Sequence, residues 1–119
     1  MLPFTLNPSR ERADCSVRAL SACLNVPYEV AHANLAVVGR KPRRIIKWTI
    51  WTRSLDVFGL EMNAEFSCMT LAKALPQMSA GRYICRVEGH LFAVVNGVVH
   101  DHRPPAPGRR ILMTYQPKI

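Results

Sequence analysis

Cys15 has the strongest chemical setting of the four cysteines in this 119-residue chain. It follows Asp14 and opens a segment, Cys15 to Leu24, in which Val17, Leu20, Cys23 and Leu24 recur at helical spacing. At the start of a helix, unpaired backbone N–H groups and the helix dipole favour a thiolate. The thiolate is the attacking species in covalent acyl chemistry, and the same N–H groups can stabilise a developing oxyanion. On position alone, a small buried hydrophobe is the plainer reading of such a cysteine. Cys23, on the apolar side of the segment, reads that way, and Cys68 and Cys85 lack a comparable setting.

A nucleophilic cysteine needs a base, and a hairpin sorts the histidines. Asn96-Gly97 is a strong two-residue turn signal between His90–Val95 and Val98–His102. With that loop, Val95 faces Val98, Val94 faces Val99, Phe92 faces Asp101 and His90 faces Arg103. His90 and Asp101 then share a sheet face as diagonal neighbours, about 7–8 Å apart and within reach of a His–carboxylate hydrogen bond. His100 and His102 are expected on the opposite face, with Leu91, Ala93 and Val95. A slip of one residue would reverse the choice. Asp101 would fix the imidazole tautomer and stabilise an imidazolium.

The elements that position these residues divide into two halves. Residues 1 to 13 read as an irregular lead-in opposed by Pro3 and Pro8, and Asp14 as an N-cap. Helices are expected over Cys15–Leu24, Tyr28–Val38 and Ile45–Phe58, with Gly39 and Gly59 as stops. Strand expectations follow at Glu61–Phe66, Arg82–Val87, His90–Val95, Val98–His102 and Arg110–Tyr115, with a short helix at Thr70–Leu75 stopped by Pro76. Tyr83 and Tyr115 are simplest as sheet residues. Helices first and an antiparallel sheet second is an α+β arrangement, and the length fits one domain over 1–119.

Composition narrows the function classes. The chain is 49% hydrophobic, enough for a real core, which argues against disorder. No apolar run approaches membrane-spanning length, so no membrane is expected as partner. Met1 to Leu6 is too short and lacks the basic start of a signal peptide, and no CxxC pair is present. A reduced, cytoplasmic protein without cofactor or metal is expected. The net charge of +8 would attract an acidic protein or nucleic acid.

At the chemically interesting positions the sequence is similar to a known family. Ala13-Asp14-Cys15-Ser16-Val17-Arg18-Ala19-Leu20 resembles the "DCxxRAL" start of the nucleophile helix in papain-like cysteine peptidases. Gly89-His90-Leu91-Phe92-Ala93-Val94-Val95-Asn96-Gly97-Val98-Val99-His100-Asp101 resembles the "GHxxAVxxGxxxD" hairpin of the same group. The nearest resemblance is to small bacterial and phage proteins similar to the C39-type, bacteriocin-processing peptidases. It implies a papain-like fold, a Cys15-His90-Asp101 triad and hydrolysis of a peptide or protein substrate through an acyl-enzyme, in a bacterial host or encoded by a phage. The family usually carries a Gln about six residues before the cysteine as a side-chain oxyanion donor. Ser9 stands there, with Asn7 and Arg10 as neighbouring candidates. That departure leaves open a weak or inactive papain-like domain that binds through a basic surface. Acyl transfer of the transglutaminase-like kind, which uses the same triad, is also open.

The basic surface is expected at Arg40, Lys41, Arg43, Arg44 and Lys47, followed by Arg53. Trp48 and Trp51 are interleaved, as in a nucleic-acid surface that pairs phosphate contacts with stacking. The same run also suits an acidic protein substrate, or a solvated helix face. His100 and His102 form an HxH pair, but no third metal ligand stands at a persuasive spacing.

Overall fold

In the computed structural model, residues 2–118 are described. The central sheet is built by its longest apolar run. Strand β4 (His90–Val95) is buried along its middle four residues, so both of its faces are covered. It pairs antiparallel with β3 (Arg82–Val87) on one side and β5 (Val98–Asp101) on the other. Beyond β3 lie β6 (Met113–Pro117) and then β2 (Leu60–Asn63), while β1 (Phe4–Leu6) closes the other edge. The order is β1-β5-β4-β3-β6-β2.

Strand alternation divides the core into two layers. Ile84, Leu91, Ala93 and Tyr115 face helices α1 (Cys15–Leu24), α2 (Tyr28–Val38) and α3 (Trp48–Arg53), and pack with Val17, Leu20, Leu35 and Trp51. Cys85, Val87, Phe92, Val94 and Val99 face the other way. They pack with Phe66, Ile111 and the residues of α4 (Leu71–Ala74) and a 3-10 turn (Leu75–Met78).

The α+β class expected from the sequence is present, as a six-stranded mixed sheet with four α-helices. Four differences have local causes. The lead-in contains β1, which runs parallel to β5 with Leu6 opposite Asp101, so the sheet is not purely antiparallel. The helix expected over Ile45–Phe58 is reduced to α3. At its end the Ser54 hydroxyl donates to the Ile50 carbonyl at 2.6 Å, competing with the helical ladder, and residues 54–59 continue as turns. The strand at Glu61–Phe66 is β2, shorter and one residue earlier. Pro76 does not end the fourth helix outright but sits at the start of the 3-10 turn, where its missing N–H costs nothing.

The β4–β5 register is the expected one. Val95 faces Val98, Val94 faces Val99 and Ala93 faces His100. Asn96 and Gly97 have φ values of 50° and 78°, the two positive dihedrals of a type I′ turn. A Cβ on Gly97 would sit 3.3 Å from the Ser79 Cα and 3.7 Å from the Leu75 carbonyl oxygen, so strain would add to a tight backbone approach. Gly97→Ala is therefore expected to lower stability by roughly 1–3 kcal/mol, read as a shifted denaturation midpoint at unchanged m-value.

Candidate active site

Cys15 is the first residue of α1 and is 5% exposed. Asp14 occupies the N-cap position, yet its carboxylate makes no cap hydrogen bond. Oδ1 accepts from Arg18 Nε at 2.8 Å. Oδ2 accepts from the N–H groups of Arg10 at 2.9 Å and Glu11 at 3.2 Å, and from the Tyr28 hydroxyl at 2.9 Å. The expected cap is thus turned back onto the preceding loop, because its i+4 neighbour is an arginine. The first-turn N–H groups beside the Cys15 thiol are left without that carboxylate.

β4 lies against α1 and begins at His90, one residue before Leu91, which packs in the helix layer. His90 Nε2 donates to Asp101 Oδ2 at 2.8 Å. This leaves Nδ1 free of Asp101, and the imidazole influences the Cys15 thiol next to it. Asp101 ends β5 and is 5% exposed. Its Oδ1 accepts from Arg18 Nη1 at 3.3 Å and from the His102 backbone N–H at 2.8 Å. Arg18 therefore bridges Asp14 and Asp101, tying the helix start to the hairpin, and it also donates to the Asn7 carbonyl at 3.2 Å.

Protonation follows from these contacts. Burial alone pushes the Cys15 thiol up, but neighbouring His90 and Leu91 and the charges of His90 and Arg18 outweigh it. The thiol ionises below its ordinary 9.0. Burial lowers His90, and the bond to Asp101 together with neighbouring Cys15 more than reverses this, raising it to about 9. Burial raises Asp101, and its bonds to His90 and His102 bring it down to about 2. The three directions together favour a thiolate–imidazolium pair beside a permanent carboxylate. Cys23 moves the other way, pushed up to about 12 by burial, and burial raises Cys85 as well. Cys68 is exposed, and all four cysteines are free thiols.

The other expected site residues are distributed as follows. His100 faces away from the triad and lines a separate cavity with Leu6, Asn7 and Arg82. His102 departs from expectation. β5 stops at Asp101, ahead of Pro104 and Pro105, and the released His102 turns back onto the site. Its Nδ1 lies 2.9 Å from Asp101 Oδ1, and its ring centroid is 5.6 Å from that of His90. The HxH pair is thereby split. His90, Asp101 and His102 do bring ligand atoms within 4.8 Å of one another. Arg18 against Asp101 and Arg103 against His102 set positive charge beside that cluster and oppose a cation there.

Among the oxyanion candidates, the Asn7 amide donates to the Arg18 carbonyl at 3.4 Å. Arg10 stacks on Tyr28 and reaches Glu29. Ser9 is exposed. Of the basic run, Lys41, Arg43, Arg44 and Lys47 are exposed. Arg40 does not join them. It is 4% exposed, donating to Glu11 at 3.2 Å and to the Ala13 carbonyl at 3.1 Å, because the lone Glu11 needs a cation where the loop folds over. Trp51 is fully buried edge-on against Tyr115, and the Trp48 ring lies under the Arg86 guanidinium at 4.3 Å. The two rings therefore do not form a paired stacking platform, and only half-buried Trp48 reaches the surface. Sequence reasoning missed Arg18 as a site residue, although its i+4 spacing from Asp14 was a visible signal. No helix among the described residues is long and apolar enough to cross a membrane. Comparison with protein-family models, with curated proteins and with solved structures finds no match to this chain.

Proposed function

We propose that the protein is a thiol hydrolase of peptides or other amides, with Cys15 as nucleophile, His90 as acid and base, and Asp101 as the group that orients His90. The observation that carries this reading is the His90–Asp101 hydrogen bond at 2.8 Å beside a buried Cys15 whose thiol the same imidazole makes easier to ionise. A helix bearing the nucleophile, packed on a sheet that bears the base, also supports a papain-like fold.

In the first step the Cys15 thiolate attacks the acyl carbon and a C–S bond forms. The oxyanion meets the N–H of Cys15 at the uncapped helix start. The His90 imidazolium gives its proton to the departing amine as the C–N bond breaks. Neutral His90 then takes a proton from water, the hydroxide adds to the thioester, and the carboxylic acid product leaves as the thiolate–imidazolium pair is restored.

Iodoacetamide labelling and the pH profile of peptide hydrolysis test the proposal together. Alkylation is expected at Cys15 ahead of the far more exposed Cys68, with the reactive form already present below pH 9.0. Turnover needs Cys15 deprotonated and His90 protonated. Hydrolysis should therefore rise as Cys15 ionises and fall again as pH passes about 9, where His90 loses its proton. Alkylation confined to Cys68, with no hydrolysis at any pH, would sink the reading.

A further inference from the structure

The largest cavity described is formed by the segment that leads into the Cys15 helix and by the loop after α2, apart from His90 and Asp101. It measures about 890 Å³ and is lined by Arg12, Ala13, Pro42, Arg43, Arg44, Ile45 and Lys47. Arg12 and Ala13 immediately precede the Asp14-Cys15 helix start, so the groove and the thiol share one stretch of chain. Four of its seven lining residues are cations and none is acidic. None of those four forms an ion pair among the described residues.

The groove is held in shape by Glu11. Its carboxylate accepts from Arg40 at 3.2 Å, from His32 at 2.7 Å and from the Arg43 backbone N–H at 2.6 Å. Glu11 is thereby spent on the buried Arg40 and on pinning the loop to the segment before α1, and Asp14 is spent on Arg18. Arg43 itself has φ 61°, a left-handed conformation that an arginine adopts only under constraint. A loop held in strain with its cations outward and unpaired fits an anionic ligand.

We infer that this groove binds an acidic segment of the peptide substrate, with Asp or Glu side chains against Arg12, Arg43, Arg44 and Lys47. The inference rests on the thiol-hydrolase reading for its link to Cys15. Nucleic acid is the lesser fit. The interleaved tryptophans offer no paired base platform, since Trp51 is buried and one face of Trp48 is taken by Arg86. A pocket of this size also suits a short peptide segment better than a phosphate track. Charge is distributed unevenly across the site. The cavity at the His90 end, about 480 Å³, mixes Glu88 and Asp101 with Arg103 and Arg109. Acidic preference is therefore expected on one side of the scissile bond only.

The test uses the full chain and three fluorescent probes: a short Glu-rich peptide, its Gln-substituted twin and a single-stranded oligonucleotide. Anisotropy should give a Glu peptide bound about tenfold tighter than the Gln peptide, in a salt-sensitive way. The double substitution Arg43→Gln with Arg44→Gln should remove that difference. The Glu peptide should also slow iodoacetamide labelling of Cys15 in the native protein and not in the double variant. Equal binding of the two peptides, or an oligonucleotide that binds tightest and loses its affinity in the variant, overturns the inference. The two readings fail separately. If Cys15 resists labelling while the Glu peptide still binds at Arg43 and Arg44, the hydrolase reading falls and the acidic site stands. If Cys15 labels rapidly and the Glu peptide neither binds nor protects, the acidic site falls alone.

Discussion

Cys15→Ala is expected to reduce peptide hydrolysis by at least about a thousandfold, to the level that binding and the oxyanion donors alone sustain. The size follows from what the sulfur does. Without it no acyl-enzyme forms, and His90 has only water to activate. Folding should survive. The side chain is small, and removing it relieves the buried thiolate while leaving the His90–Asp101 bond and the Arg18 bridge in place. Urea unfolding of the variant should stay within about 1 kcal/mol of the parent. Hydrolysis that persists in Cys15→Ala, in a preparation free of contaminating peptidase, would remove the triad from consideration.

Arg18→Leu should have the largest effect on stability. Asp14 is 1% exposed and Asp101 5%, and the one guanidinium between them is an ion-pair partner of both; Asp101 also has His90, whereas the other partners of Asp14 are neutral donors. Removing one partner of a buried ion pair costs about 3–5 kcal/mol, because the other charge stays behind without compensation. Here Asp14 stays behind with neutral donors only, while Asp101 keeps His90. Against a typical stability of about 5–15 kcal/mol, the variant should sit near the edge of folding at neutral pH. Asp14→Asn combined with Arg18→Leu should recover part of the loss, since the stranded carboxylate is then gone. Arg18→Lys should rescue little, as a single ammonium does not reproduce a fork whose Nε serves Asp14 and whose Nη1 serves Asp101 and Asn7. Chemical denaturation of the three variants checks the order. A single variant as stable as the parent would show that the bridge is incidental.

The readable part of this chain was local. Asn96-Gly97 sets a turn with two positive φ values, and the turn sets the register that brings His90 to Asp101. The Cys15 helix was readable from apolar spacing alone. The unreadable parts depend on partners far along the chain. Arg40 and Arg18 look like surface cations until Glu11, Asp14 and Asp101 close over them. The three-residue strand β1 has no alternation to announce it, and pairs only because β5 leaves an edge open. His102 follows the strand period on paper. It leaves that period because the ladder ends one residue before it, and Asp101 then captures its ring. Asp14 carried a capping signal and an i+4 arginine signal at once, and the arginine won.

The Arg18–Asp101 contact joins residues 83 positions apart. During synthesis Cys15 emerges well before His90 and Leu91, two of the groups that lower its pKa. Until then the thiol lacks the influence of His90 and Leu91, which reaches it only when the β4–β5 hairpin docks against α1. For a protein that would cut amide bonds, the order of synthesis itself withholds this part of the thiol's activation until the hairpin is in place.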